Sequence, residues 1–349
     1  MTTRRAPTLA DVAAAAGVSL ATASRALNGS DRVVRAELAD RVGAAAQRLG
    51  YMPNAQAQAV VRGSNDAIGL LVNDIADPYF SAIAAGLAQA AEEQNLLVML
   101  CNTGGRPERE LEFLTQLRRQ RGRAIVLAGS RTADRRHQAA VSAALTSYLQ
   151  AGGRVAAISQ ARLPVDTIVI DNRSGARELA AELVVRGYRS AAVLDGPDSH
   201  LTARDRRLGF QEGWRAAGLD EPIRYRAEFT RDGGYSAMAA LLDSGPPPEC
   251  VFAVNDIMAM GALTACREHG LRVPGDVALA GFDDIGTLRD VVPALTTVRL
   301  PLEDIGAAAV ALALDGENSA TPRRRRIRGE VVLRESTPVP RGLIRRTDT

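Results

Sequence analysis

Residues 8–28 read Thr-Leu-Ala-Asp-Val-Ala-Ala-Ala-Ala-Gly-Val-Ser-Leu-Ala-Thr-Ala-Ser-Arg-Ala-Leu-Asn, and this stretch decides how the remaining chain is understood. Thr8 stands three residues before Asp11, the spacing of a capping box, so a helix is expected to start at once. Leu9, Val12, Ala13 and Ala16 recur at helical spacing and give that helix one apolar side. Gly17 then ends it, because the sharp turn needs a residue that reaches positive φ without a Cβ penalty. Val18 plugs the corner, and Ser19 is placed to cap a second helix whose inward face is Ala23 and Leu27. Two short helices joined by a Gly-containing turn make a helix-turn-helix, whose second helix fits the major groove of DNA. Leu20, Ala21, Ser24, Arg25 and Asn28 form its outward face. They offer a guanidinium for guanine, small apolar groups for thymine methyls and hydroxyls for phosphates. A plain helical hairpin with a solvated face would not require the Ala16-Gly17-Val18-Ser19 corner with Thr22, Ser24 and Arg25 behind it.

The charge agrees with a DNA-facing N-terminus. The net charge of +3 over 349 residues conceals a division: residues 1–63 hold eight Arg against four acids, residues 64–349 thirty-five Arg against thirty-six acids. The chain contains no lysine, which excludes P-loop lysine, Schiff-base and kinase-lysine chemistry together. Cys101, Cys250 and Cys266 lack metal or redox spacing and read as buried reduced thiols, and His137, His200 and His269 form no ligand pair. No metal and no cofactor is expected. Arg4 and Arg5 precede no apolar core of a signal peptide, and no apolar run reaches spanning length, so a soluble, cytoplasmic protein without a membrane partner is expected.

Further along, Leu38, Val42, Ala45, Ala46 and Leu49 mark a third helix that closes a three-helix core and stops at Gly50. Residues 54–61 are a short alanine-rich stretch, too short to be a stable helix alone in water. From Ala67 apolar runs alternate with amphipathic stretches, beginning with strand Ile68–Val72 and helix Phe80–Gln94 and closing with helix Asp256–Glu268 and strand Val277–Gly281. Strands alternating with helices imply parallel sheets covered on both faces, and the number of units implies two doubly wound lobes. No Gly-x-Gly-x-x-Gly follows a strand, so the dinucleotide-binding version of this architecture is unsupported. The arginine run Arg323–Arg326 reads as a solvated loop before a final strand Glu330–Arg334.

Residues 8–28, and the order of motifs through to about residue 337, resemble the lactose-repressor/galactose-repressor (LacI/GalR) family of bacterial transcription regulators. The resemblance implies an α/β fold: a three-helix helix-turn-helix headpiece (1–53), a hinge helix and linker (54–65), a two-lobed periplasmic-binding-protein-like core of doubly wound parallel sheets (66–340) and a tail (341–349). One lobe is expected over about 66–165 and 298–327, the other over about 166–296 and 328–340, with crossings near Val165–Ile168, Thr296–Pro301 and Arg325–Val331. It also implies DNA contacts from Thr8, Ser19, Leu20, Ala21, Thr22, Ser24, Arg25, Asn28, Tyr51, Asn54 and Ala57, and from Val60. Val60 stands where the family wedges a Leu into the minor groove; a shorter, β-branched wedge is expected to bend the operator less. Val34 replaces the Ser or Thr that usually caps the third helix.

Family motifs in the core place a ligand between the lobes, outside the carboxyl ends of the strands. Tyr79 and Phe80 match aromatics that flank ligand in relatives, after a turn in which Asp77 replaces Asn. Arg204 and Arg206 fit an Ala-Arg-x-Arg-x-x-Gly-Phe pattern at a helix start and are expected to donate bidentate bonds to ligand hydroxyls or a carboxylate. Phe229 matches a stacking aromatic, Asn255 a ligand contact, and Asp283, within Gly281-Phe282-Asp283-Asp284, an acceptor for a ligand hydroxyl. Ser159-Gln160 stands where relatives have Asp followed by Arg or an aromatic, which removes an acceptor that Asp171-Asn172, matching another family strand end, is expected to replace in part. Arginines, acids and aromatics in one cleft suit a sugar or polyol. The chain stops eleven residues after Pro338 without leucine heptads, so a homodimer reading a pseudo-palindromic operator is expected. The resulting reading is a ligand-controlled transcriptional regulator, most simply a repressor. The rivals are a sugar-binding protein of periplasmic type without a role in gene control, which would need a secretory signal and no helix-turn-helix, and an enzyme, which would need a nucleophile with its base.

Overall fold

The computed structural model describes residues 6–28, 34–52, 65–315 and 321–339, which fall into two compact units, within Met1–Asp66 and within Ala67–Thr349.

Among the described residues the first unit holds three helices: α1 (Leu9–Ala16), α2 (Leu20–Asn28) and α3 (Ala36–Leu49). At the start of α1 Asp11 Oδ2 accepts from Thr8 N at 2.8 Å while Thr8 Oγ1 accepts from Asp11 N at 3.4 Å, so both halves of the capping box form. Gly17 closes the helix in the left-handed region at φ 63°, as the turn requires. Val12, Ala13, Ala16, Ala23, Val42, Ala45 and Ala46 are buried together. These small side chains let the helices approach closely, and burying Val12 and Val42 contributes about 1.5–3 kcal/mol each. Arg41 Nη2 donates to Ala16 O at 2.6 Å and ties α3 to the end of α1. Two details depart from expectation. The N-cap of α3 is Arg35, not Val34, and makes no side-chain cap bond; Leu49, at the helix end, is exposed rather than part of the core.

The second unit carries two parallel sheets. The first has the strand order β11-β5-β4-β3-β1-β2, built from β1 (Asn65–Val72), β2 (Leu97–Asn102), β3 (Gly122–Ala128), β4 (Arg154–Ile158), β5 (Asp166–Ile170) and β11 (Arg324–Ile327). The second runs β7-β6-β8-β9, from β6 (Ala191–Asp195), β7 (Ile223–Arg226), β8 (Cys250–Ala253) and β9 (Ala278–Ala280). Between them a short antiparallel ladder pairs β10 (Thr297–Arg299) with β12 (Glu330–Val332). Period-2 alternation divides β1 and β3: Ile68, Leu70, Val72, Ala124 and Val126 enter one core, whereas Leu71, Ile125 and Leu127 enter another. Helices α4 (Pro78–Glu93) and α11 (Leu302–Leu314) pack together over the first of these, and α5 (Pro107–Arg119) and α6 (Arg135–Gln150) over the second. Around the second sheet, α7 (Asn172–Arg186) pairs with α8 (Leu201–Ala216) and α9 (Arg231–Asp243) with α10 (Asp256–Glu268). Glycines set these contacts: a Cβ on Gly306 would lie 2.1 Å from Ile83 O, and one on Gly209 2.1 Å from Arg173 O.

The lobe boundary needs correction. β5 belongs to the first sheet, so the chain first crosses after Ile170, not at Val165–Ile168, and residues 166–170 leave the second lobe for the first. The cause is the arginine run, which is not a solvated loop. Arg324–Ile327 form β11 and cover β5 in register, Arg324 opposite Thr167 and Ile327 opposite Ile170. Arg324, Arg325 and Arg326 stay exposed, so the edge is guarded by charge. Arg323 anchors the run on Asp166, with Nε and Nη2 at 2.9 and 2.7 Å from Oδ2.

Candidate functional site

Two surfaces are candidates, one in each unit. On the headpiece, Ser19 Oγ accepts from Thr22 N at 3.1 Å and lies 2.8 Å from Thr22 Oγ1, so both hydroxyls gather at the start of α2. Leu20, 54% exposed, stands beside them, and Ala21 and Arg25, four residues apart, are exposed on the same side of the helix. Ser24 is half-buried, and Ala23 points fully inward. An apolar side chain left in water at a helix N-terminus, with an exposed guanidinium on the same short helix, is a surface suited to a groove. Thr8 is engaged in capping α1, and Tyr51 packs half-buried against the headpiece core. The side chain of Asn28 and residues Asn54, Ala57 and Val60, with the wedge expected at Val60, lie outside the described residues.

In the second unit a cavity of about 780 Å³ opens at the carboxyl ends of the strands. Asn73, Thr103, Gly129, Ser159, Asn172, Asn255 and Asp283 reach it from segments that follow β1, β2, β3, β4, β5, β8 and β9. Tyr79, Phe80, Arg206, Phe229, Asn255 and Asp283 line it together. Its centre is Arg206, 1% exposed. Nη2 donates to Asp283 Oδ1 at 2.6 Å, Nη1 to Asp283 Oδ2 at 3.1 Å and to Val254 O at 2.9 Å, and Nε to Asn172 Oδ1 at 2.8 Å. The guanidinium also lies 3.9 Å from the ring centre of Phe282. Asp283 sits at φ 121°, a backbone position that costs a non-glycine residue about 1–3 kcal/mol and persists only where surroundings enforce it. Burial pushes its carboxyl up to about 6 even against the pull of Arg206. Next to it Asp284 accepts from Arg299 Nε at 2.7 Å and Arg334 Nη2 at 2.6 Å, fastening the same turn to the segments that run between lobes.

The aromatic side is equally ordered. His200 stacks on Phe229 with ring centres 4.1 Å apart. Its Nδ1 accepts from Ala203 N at 3.3 Å as the cap of α8, which leaves the proton on Nε2. Burial, and then Arg206, lower its pKa to about 4. Tyr79 meets Phe80 edge-on at 4.9 Å, and burial, reinforced by Asp283, raises its hydroxyl well above the ordinary range. Asn255 caps α10, accepting from Met258 N at 3.0 Å.

Three expectations fail on geometry. Arg204 does not line the cavity; two residues apart on a helix are about 200° apart, so Arg204 and Arg206 cannot face one way, and Arg204 is 38% exposed beside Asp205. Asp171 is also absent from the lining: it caps α7, accepting from Ser174 N at 3.3 Å, and Asn172 takes its place. The fork of Arg206 is not open for a ligand, because Asp283 occupies it.

The other wall was not visible beforehand. Glu110 of α5 accepts from Arg131 Nη1 at 2.8 Å and lies 2.7 Å from His137 Nε2 of α6, and all three line the cavity. Gln160 bridges the lobes: Oε1 accepts from Arg131 N at 2.8 Å and Nε2 donates to Thr202 Oγ1 at 2.9 Å. Thr202 N donates to Ser130 Oγ at 3.0 Å beside it. Among the described residues no group of three His, Cys, Asp or Glu could hold a metal ion, and no helix is long and apolar enough to cross a membrane.

A helix-turn-helix unit and a cleft between two parallel α/β sheets define the class: a DNA-binding regulator with a periplasmic-binding-protein-like domain. Residues 8–54 match the model of bacterial regulatory proteins of the lacI family, and residues 180–337 that of the periplasmic binding protein-like domain. The HTH-type transcriptional regulator CelR of Thermobifida fusca is 34% identical over 96% of this chain and 100% of its own. The lac repressor dimer bound to operator and the anti-inducer ONPF superimposes with a TM-score of 0.83 at 26% identity, covering 96% of this chain and 100% of that one. A transcriptional regulator CelR–cellobiose complex matches with a TM-score of 0.68 at 29% identity, covering 95% and 99%. The chain belongs to the lacI family of bacterial regulatory proteins and is a DNA-binding transcriptional regulator.

Proposed function

We propose that this regulator is a repressor that holds a pseudo-palindromic operator as a homodimer, and that a sugar or polyol bound in its cleft controls that grip. The observation that carries the reading is the cleft itself: Arg206, Asp283, Asn172 and Asn255 gather donors and acceptors beside Tyr79, Phe80 and the stacked Phe229. Hydroxyls need in-plane donors and acceptors, and the apolar faces of sugar rings need flat aromatic surfaces. Two solved relatives agree in kind, one bound to operator as a dimer and one in complex with cellobiose.

On this reading residues 1–53 form the headpiece, with Leu20, Ala21, Ser24 and Arg25 facing bases, Thr8, Ser19, Thr22, Asn28, Tyr51, Asn54 and Ala57 supporting the contact and Val60 in the minor groove; 54–65 form the hinge. Residues 66–340 bind effector and partner, working in the cytoplasm by binding rather than by catalysis. A ligand shifts the regulator only by as much as its affinity differs between the operator-gripping and releasing arrangements. Selection of random duplexes by the purified full chain, repeated with a panel of sugars and polyols, tests this. A recovered pseudo-palindrome whose yield changes with one compound is expected; recovery of no common sequence at moderate salt refutes it.

A further inference from the structure

We infer that Gln160 latches the two lobes: with residues 130–133 it caps helix α8 from across the cleft, so that opening the lobes frays the helix that carries Arg206. The latch stands whichever compound the cleft takes. A helix leaves the N–H groups of its cap and of its first three residues without partners inside the helix. At the start of α8, His200 N donates to Pro197 O at 2.9 Å and Ala203 N to His200 Nδ1 at 3.3 Å, both within the second lobe. The other two donors are met from the first lobe: Leu201 N donates to Arg131 O at 3.2 Å and Thr202 N to Ser130 Oγ at 3.0 Å. In return Ala133 N donates to Ser199 O at 3.0 Å, and Thr132 pairs with His200 as an antiparallel bridge. Helices α7, α9 and α10 are instead capped by their own Asp171, Thr230 and Asn255.

Gln160 holds this strip together. Arg131 N can only donate, so the side-chain oxygen of Gln160 faces it and the amide N–H is turned to Thr202 across the cleft. The two ends of one side chain are thus spent on opposite lobes. Ser159-Gln160, which costs the cleft an acceptor, gains it this tie. Every bond of the strip joins groups of the chain itself, so it closes without a bound molecule. Thr202 lies four residues before Arg206 and therefore on the same side of α8, while Arg131 lines the cavity. Gln160 is in this sense a positioning residue, acting on Arg206 through the first turn of α8.

Hydrogen–deuterium exchange of the full chain, with no sugar added, tests the latch through peptides covering residues 129–134 and 199–203. Both segments are expected to be protected in the wild type. In Gln160→Ala, and in Thr202→Val, which removes only a hydroxyl, both should exchange faster together by about two- to tenfold, the worth of one net hydrogen bond. Peptides from β3, from β6 and from the start of α7, capped by its own Asp171, should not change. Exchange at the unprotected rate in either segment of the wild type overturns the latch. So does a Gln160→Ala variant in which the first-lobe segment alone speeds up, because Gln160 would then only brace its own loop. Unchanged exchange in both segments of both folded variants overturns it as well.

Discussion

The pair of Arg206 and Asp283 makes an asymmetric prediction. Their side chains are 2% and 6% exposed and meet at 2.6 Å. Asp283→Asn keeps the shape but leaves a buried guanidinium that cannot shed its charge. Breaking a buried pair in this way costs about 3–5 kcal/mol. Arg206→Gln behaves differently, because the orphaned carboxyl can take up a proton. Asp283 already stands at about 6 with its partner present, and removing Arg206 raises it further. A group whose folded pKa lies above its unfolded value gives its full stability below the unfolded pKa and loses it as pH rises through the folded one. Arg206→Gln is therefore expected to cost little at pH 5 and progressively more toward pH 8. Trp214, the sole tryptophan, is fully buried on the same helix, two turns beyond Arg206, and reports unfolding directly. Urea denaturation followed by its fluorescence at the two pH values measures both variants. An Asp283→Asn variant within about 1 kcal/mol of wild type, or a pH-independent loss in Arg206→Gln, would refute the reasoning.

Further outcomes follow from the same structure. Arg25→Ala should cost about 1–3 kcal/mol on operator and relax one base position while leaving binding to random DNA unchanged; equal losses on both, by fluorescence anisotropy, would make Arg25 a phosphate contact only. Gly306→Ala forces α4 and α11 apart, because its Cβ would meet Ile83 O at 2.1 Å, so a loss of about 1–3 kcal/mol is expected in thermal unfolding. Thr8→Ala removes the cap of α1 and should cost the headpiece about 0.5–2 kcal/mol, read by circular dichroism. His200 is held neutral with its pKa lowered to about 4, so its contribution is present above about 6.5 and is lost as pH falls toward 4; His200→Gln should flatten the stability curve over that window.

The headpiece was legible because its signals are local: Thr8 with Asp11, Gly17 and the Ala23 side of α2 need no distant partner. Strands and helices of the core were legible for the same reason, from periodicity. Sheet membership was not. Nothing between Asp166 and Ile170 reveals which sheet they join, and the partner that decides it, Arg324–Ile327, reads by composition as a loop. In the cleft, side chains aimed from strand ends were found by position, as with Asp283 and Asn255. A motif fixes spacing but not helix phase: of the expected neighbours Arg204 and Arg206 the latter faces the cavity, and of Asp171 and Asn172 it is Asn172. Glu110, Arg131 and His137 come from three separate segments, and on an amphipathic stretch such as Pro107–Arg119 a glutamate looks like any solvated residue until the partner arginine arrives from another strand end.

A regulator controlled through its cleft couples ligand to operator, and that coupling can be measured reciprocally. Once a compound is found that occupies the cleft, its affinity should be determined by calorimetry with and without saturating operator, and the operator's affinity with and without saturating compound, at one salt concentration. The two ratios are expected to be equal and to lie between about 5 and 150. Ratios of one would mean that the cleft binds its ligand without informing the DNA-binding face, and would refute control through the cleft.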